Sequence, residues 1–172
     1  MPRSKDGTPV RVALDGAQTV GGQTHNVRLL TEGRLFRKGG GFTLVYSEIG
    51  VDPGAGSFTL LTKLTCGGQR VSMERSDPDR ASMIFDRQGP FACQEGGQER
   101  GGDGFRLIAD DVRYSIAEGG GDGRINLSFS VMGSNDAGRY NIDIHFEKRK
   151  PTARRRGEKN PAAMQVLLGC AQ

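Results

Sequence analysis

The sequence predicts an all-β protein in which nine or ten antiparallel strands follow one another and close into a barrel. Apolar side chains recur at every second position through most of the chain, which is typical of strands with one face in the core and one in water. Glycine supplies 27 of the 172 residues, and its clusters separate the alternating runs, where tight turns need it. Because the connections are short, each strand is expected to pair with its neighbours in the chain.

The strands are predicted from Pro9 onward, one for each alternating run. The second run is the longest and covers about 24–38. Glycine clusters such as Gly39-Gly40-Gly41 and Gly67-Gly68 mark the turns. The inward-facing side chains predicted in successive runs include Val10, Val12, Leu14; Val27, Leu29, Leu35; Phe42, Leu44, Tyr46; Phe58, Leu60, Leu64; Val71, Met73; Ala81, Met83, Phe85; Ile125, Leu127, Phe129, Val131; and Tyr140, Ile142, Ile144, Phe146.

Two positions predict local departures from regular strands. Between Leu107 and Val112 the apolar parity switches, and one extra residue near Ala109–Asp111 would cause this, so we expect a β-bulge there. Gly33 lies in the middle of the longest strand, where glycine usually marks a sharp bend or a close backbone approach.

The sequence divides into a flexible N-terminus over 1–8, a β-barrel domain over 9–149 and a basic tail over 150–172. One short helix is predicted in the tail, over 161–168. Asn160-Pro161 has the residue types of a helix start, and a glycine follows as a stop signal. About two turns of helix are too short to be stable alone in water.

Charge is concentrated at the C-terminal end. Residues 148–172 carry a net charge of +6, whereas the preceding 147 residues carry −2. Such a basic run favours contact with RNA, the ribosome or an acidic partner, and the alternative is a solvated end that keeps the protein soluble. The bases that could contact a polyanion are Lys148, Arg149, Lys150, Arg154, Arg155, Arg156 and Lys159.

Composition points to a cytoplasmic protein without a membrane span. The apolar stretches are far shorter than the roughly 20 residues of a membrane helix, and no secretory leader opens the chain. Cys66, Cys93 and Cys170 are odd in number and widely spaced, which argues against a disulfide framework and against a paired-cysteine zinc site.

Several short motifs then occur in an order that resembles the YwiB-like proteins, small bacterial proteins of uncharacterised function with a lipocalin-like (calycin) β-barrel. The resemblance covers about 9–149 and implies a closed or nearly closed barrel of 8–10 strands, but no substrate. In two turns the chain departs from the family pattern, and the basic tail is an addition. The motifs that carry the resemblance are Thr31-Glu32-Gly33, Tyr46-Ser47-Glu48, Met73 with Arg75, Gly89-Pro90-Phe91 and Gly123-x-Ile125-x-Leu127-x-Phe129.

Catalytic patterns are not recognised in the sequence. The glycine clusters do not fit the phosphate-binding loop, and neither His25 nor His145 has the spacing of a catalytic or metal-ligand set. We therefore expect no catalytic residues, no metal and no cofactor, and an enzyme ranks third, behind a binding module and an adapter.

One group of inward-facing residues carries the chemistry of a candidate site. Tyr46 and Glu48 share the face of Phe42, while Arg75 and Tyr114 belong to the inward sets of their own strands. A buried acid and a buried arginine must pair or bind something, because an unpaired buried charge is costly. One alternative is a bidentate Glu48–Arg75 pair that plugs one barrel end. The other is a polar anchor for a ligand carboxylate or phosphate between aromatic walls formed by Tyr46 and Tyr114.

The sequence thus favours a non-enzymatic module that binds a small amphipathic ligand or serves as a packed scaffold. The alternative function is an adapter that binds RNA, the ribosome or an acidic protein through the basic tail.

Overall fold

Ten antiparallel strands form the fold of the computed structural model, which describes residues 7–76, 81–86, 91–95, 105–132 and 137–150. The predicted helix over 161–168 and the tail bases from Arg154 onward lie outside the described residues. The strands are β1 (Thr8–Val20), β2 (Gln23–Lys38), β3 (Gly41–Asp52), β4 (Gly56–Gly67), β5 (Arg70–Arg75), β6 (Ala81–Asp86), β7 (Phe91–Glu95), β8 (Phe105–Ile116), β9 (Gly123–Met132) and β10 (Gly138–Lys148).

The strands close into a barrel in the order in which they occur in the chain. Each pairs with its sequence neighbours, and β1 closes the barrel by pairing with β10 from Val10 opposite Lys148 to Thr19 opposite Arg139. This strand order is that of an up-and-down barrel. The predicted all-β closed barrel is confirmed. Its first strand begins at Thr8, one residue before the predicted domain start.

The predicted bulge in β8 is present. The register between β8 and β9 shifts between Ala109 and Asp111, so that Val112 and Leu107 are both buried although they are an odd number of residues apart. An extra residue in one strand reverses the parity that follows it, as the apolar pattern indicated.

The ladder between β2 and β3 is short, and Gly33 lies at its end. The pairs run from Lys38 opposite Gly41 to Gly33 opposite Tyr46. A Cβ added at Gly33 would lie 2.6 Å from the Val45 carbonyl oxygen, so the two backbones approach as closely as glycine allows. Just beyond, the Thr31 hydroxyl donates to the carbonyl of Ser47 at 2.9 Å.

Past this point the two strands have different partners. Among the described residues, the 23–32 part of β2 continues paired to β1, and the 47–52 part of β3 continues paired to β4. The barrel wall is therefore parted between β2 and β3 at this end, and the inward face of each strand can be reached from the gap.

The alternating apolar side chains fill the rest of the barrel. In β9 each second residue is buried, and the same pattern holds in β4. Phe42 contacts Phe146 with ring centroids 5.4 Å apart, and Phe85 contacts Phe129 at 4.8 Å. Among the described residues, no helix is long and apolar enough to cross a membrane. The largest fully buried side chains are Tyr46, Phe42, Phe85, Phe146, Leu35, Leu44, Leu64, Met73, Leu107, Ile125, Leu127 and Ile144.

Candidate ligand-binding site

Three neighbouring strands bring a buried acid and an arginine together inside the barrel. On β4, Thr62 lies opposite Tyr46 of β3 on one side and opposite Arg75 of β5 on the other. Glu48 follows Tyr46 by two residues and so faces the same way. The Arg75 Nη2 atom lies 3.4 Å from Glu48 Oε2, with 32% of the arginine side chain and 8% of the glutamate side chain exposed. The predicted inward orientation of Glu48 and its contact with Arg75 are thus present.

The pair is looser than the predicted bidentate one. Contact is through Nη2, and the buried Arg75 Nε finds no hydrogen-bond partner among the described residues. The buried hydroxyls of Tyr46 and Thr62 also lack a partner there. Two inward-facing strands can bring charges together, but side-chain length and strand twist decide whether both hydrogen bonds of a guanidinium–carboxylate fork can form. Among the described residues, three polar atoms beside the ion pair thus have no partner in good hydrogen-bond geometry, although the Tyr46 hydroxyl lies near enough to Glu48 and Thr62 for both to affect its pKa.

Tyr46 is held in its neutral form at this position. Only 2% of the residue is exposed, and burial raises the pKa of its hydroxyl far above the ordinary 10.0. The nearby Glu48 carboxylate raises this pKa further, while Arg75 acts in the opposite direction. Tyr46 is thus available as a hydrogen-bonding hydroxyl, not as a charge.

A cavity of about 150 Å³ adjoins the ion pair where β2 and β3 part. It is open on one side, and its walls are mostly apolar. Glu48 and Arg75 are the charged residues among its described lining. The residues that line it are Leu14, Gly16, Ala17, Gln18, Val27, Leu29, Glu48, Ile49, Arg75, Tyr140, Asn141 and Ile142.

Gln18 and Tyr140 form a second polar group in this cavity, which the sequence analysis did not identify. The Gln18 side-chain amide donates to the Tyr140 hydroxyl at 3.0 Å across the β1–β10 pair. The Tyr140 ring stacks on Phe129 with centroids 5.1 Å apart and planes 6° apart, which holds it in place. The parity of β10 already indicated that Tyr140 faces inward. Its partner could not be identified without the register that sets Gln18 opposite it.

Tyr114 is not part of this site, which corrects the prediction of two aromatic walls. Its hydroxyl donates to the carbonyl of Gly68 at 2.7 Å, and its ring meets Phe42 edge-on at 5.7 Å. Phe42 precedes Glu48 by six positions on β3, which is about 20 Å along a strand. Tyr114 therefore belongs to the opposite end of the barrel. Parity assigns a face of the sheet but not a height along the barrel.

The residues just before the basic tail lie against the barrel. Lys148, Arg149 and Lys150 are all exposed. The Arg149 guanidinium pairs with Glu32 at 3.1 Å, and its backbone N–H donates to the carbonyl of Pro9 at 3.1 Å. The remaining predicted polyanion contacts, Arg154, Arg155, Arg156 and Lys159, lie outside the described residues.

The described residues contain no group of three or more histidine, cysteine or acidic side chains that could hold a metal ion. His25 and His145 are both exposed. The thiol of Cys66 is buried and free, and burial raises its pKa to about 12, which makes it a poor nucleophile.

Comparison with known proteins defines the family. The model of a family described as a domain of unknown function, DUF1934, matches residues 12–144, which is most of the chain. The chain belongs to this family. No curated protein matches the sequence of this DUF1934 member.

The fold of this DUF1934 member is also found in a solved structure. The crystal structure of the ywiB protein from Bacillus subtilis is similar to it with a TM-score of 0.66, over 83% of this chain and 93% of that one. The two sequences are 15% identical, so the similarity shows the shared fold alone. The resemblance to YwiB-like proteins is confirmed, and the function has to be argued from the site.

Proposed function

We propose that the protein is a non-enzymatic binding module that takes a small amphipathic ligand into the cavity beside Glu48 and Arg75. The polar part of the ligand contacts the ion pair, and its apolar part lies against the side chains of β1, β2 and β10. The parted wall between β2 and β3 supplies the way in.

One observation carries this proposal, namely the incomplete hydrogen bonding around the ion pair. Buried polar atoms in folded proteins are nearly always paired, and each unpaired one costs about 1–3 kcal/mol. Tyr46, Thr62 and Arg75 each have one buried polar atom without a partner among the described residues, and of these three residues Arg75 also lines the cavity. A pair selected only to plug the barrel has no reason to retain this cost next to a cavity. A binding site does have a reason to retain this cost, because a ligand that hydrogen-bonds to the pair offsets part of it.

The size of the cavity limits the ligand. An apolar cavity of about 150 Å³ holds one benzene molecule, whereas pockets for drug-sized ligands have about 300–1,000 Å³. The cavity has about 150 Å³ and opens outward. The ligand is therefore of fragment size, or it inserts one end and leaves the rest outside.

A cavity-filling variant tests the proposal. Gly16 lines the cavity, and a Cβ added there meets its nearest neighbour at 3.7 Å, an ordinary contact, so Gly16→Leu fills the space without a backbone clash. The control is Gly67→Leu, since an added Cβ at Gly67 meets nothing within 4 Å. Native mass spectrometry with fragment-sized amphipathic compounds should show complexes of the parent and of the control but not of Gly16→Leu. Equal binding by all three proteins, or binding by none, would contradict the proposal.

A second function is supported by the charge distribution. The 148–172 segment carries +6 while the rest of the chain is slightly acidic, and Lys148 and Lys150 are exposed at the end of β10 and just beyond it. Cationic segments of this kind bind RNA by releasing counterions. In this alternative the barrel is the support and the tail supplies the affinity for RNA, the ribosome or an acidic partner.

A further inference from the structure

We propose that the polar group of the ligand is uncharged and offers a hydrogen-bond donor and an acceptor side by side, as a carboxamide does. This inference rests on the proposed binding function and specifies the chemical class that the site accepts. It replaces the carboxylate or phosphate that the sequence suggested as one alternative.

The charge of the cavity favours an uncharged group. Among the described lining residues, Glu48 and Arg75 are the charged ones, and they neutralise each other. A ligand carboxylate would bring a second negative charge beside Glu48 with no further cation to balance it. A ligand cation would in turn face Arg75. In a partly buried site, each of these uncompensated charges is unfavourable.

The direction of the hydrogen bonds further limits which polar group of a ligand the site can accept. The ionised carboxylate of Glu48 can only accept, and the guanidinium of Arg75 can only donate. A group that satisfies both must therefore donate to one and accept from the other at the same time. Arg75 retains unused capacity, since it contacts Glu48 through Nη2, lines the cavity and keeps about a third of its side chain exposed. A carboxamide has its N–H and C=O in this arrangement.

The apolar walls fit a small ring. Leu14, Val27, Leu29 and Ile142 line the cavity together with the ion pair, and the volume of about 150 Å³ matches that of a cavity which holds benzene. Benzamide, benzoate and benzamidinium share this ring and differ in the charge of one substituent. They therefore probe the charge preference of the site at nearly constant shape.

The first experiment compares these three compounds with the full-length protein near neutral pH, with dissociation constants measured by ligand-observed NMR. Benzamide should bind at least tenfold more tightly than either charged compound. Benzoate or benzamidinium binding as tightly as benzamide would overturn the inference while leaving the binding function in place. Binding of none of the three would contradict the binding function as well.

Two charge variants supply a second readout. Glu48→Gln leaves Arg75 uncompensated, so the affinity for benzoate should rise relative to that for benzamide. Arg75→Met leaves Glu48 uncompensated, so the affinity for benzamidinium should rise relative to that for benzamide. The controls Glu32→Gln and Lys63→Met change the net charge by the same amounts at exposed ion pairs outside the cavity. These controls should bind the three compounds with the same order of affinities as the parent. An order of affinities that stays unchanged in both cavity variants would overturn the inference. If the variants do not fold, the comparison of the three compounds with the parent protein decides the inference alone.

Discussion

Glu48 and Arg75 differ in how well each can be solvated when the other is removed. Glu48 is almost fully buried, whereas Arg75 keeps about a third of its side chain exposed. Without its partner, the arginine head can turn toward water, but the glutamate cannot. Partial exposure also screens the attraction between them, which lowers the contribution of the pair below that of a fully buried one.

A double-mutant cycle with Glu48→Gln and Arg75→Met should show this asymmetry. We expect Arg75→Met to lower the free energy of unfolding more than Glu48→Gln does, with a coupling energy of about 1–3 kcal/mol. Denaturant unfolding provides the measurement. The exposed Arg11–Glu147 pair, at 3.7 Å, is the control and should couple by less than about 1 kcal/mol. Additive effects at Glu48 and Arg75 would mean that the two side chains do not interact in solution.

Asp143 on the outer face of β10 carries a separate electrostatic interaction. Its carboxylate accepts from Arg124 Nε at 2.7 Å and from the Asn126 amide at 2.9 Å. The hydrogen bond from Arg124 lowers the pKa of Asp143 below its ordinary 3.8, against a smaller opposing effect of burial. Because the carboxylate is more acidic in the folded state, it stabilises the protein above the pKa of the unfolded chain. That stabilisation is lost as the pH falls through the lowered value.

Asp143→Asn should therefore be less stable than the parent at neutral pH, and the difference should shrink as the pH falls below about 3.8. Thermal melts across an acid pH series provide the measurement. A difference that stays constant over the whole series would show that the ionised carboxylate is not responsible.

Strand β2 contributes both to the barrel wall and to the lining of the cavity, and Gly33 lies between these two parts of the strand. The ladder to β3 ends there, and the side chains of Val27 and Leu29 beyond it line the cavity. The glycine lets the Val45 carbonyl approach to 2.6 Å from where a Cβ would lie. A side chain at this position would push β2 and β3 apart at the end of their ladder, where the opening to the cavity begins.

Gly33→Ala should lower the free energy of unfolding by about 2 kcal/mol, because the neighbour of the new Cβ is backbone and cannot move alone. Gly40→Ala is the matched control, since an added Cβ there meets nothing within 4 Å. It should change stability by less than about 0.5 kcal/mol. Equal melting temperatures of the two variants would show that the close backbone approach at Gly33 does not contribute to stability.

The strands were largely predictable, and the site was predictable in part, for a physical reason. Alternation marks which face of a strand is buried, so the inward orientation of Glu48 and the bulge near Ala109 followed from the pattern. Height along the barrel depends on register between strands, which alternation leaves open. Alternation therefore groups Tyr114 with the wrong end of the barrel and does not connect Gln18 with Tyr140.

All described strands of the barrel end before the basic tail of 150–172 begins. The last ladder pair joins Lys148 to Val10, and Arg149 makes the last described contacts with the barrel. Truncation after Arg149 therefore leaves every described strand whole, and we expect unchanged β-type circular dichroism and a cooperative melt. RNA affinity of the full chain should fall steeply with salt and should be weaker in the truncated chain. Equal RNA binding by both would contradict the adapter function.

Whether a ligand occupies the barrel is decided by a methyl-resolved NMR titration of the full-length protein with benzamide. Methyl resonances of Val27, Leu29 and Ile142, which line the cavity, should shift together along one binding curve. The same titration of Gly16→Leu should leave them in place. Shifts confined to exposed apolar residues such as Leu61 or Met132, or identical shifts in both proteins, would show that the cavity is not the binding site.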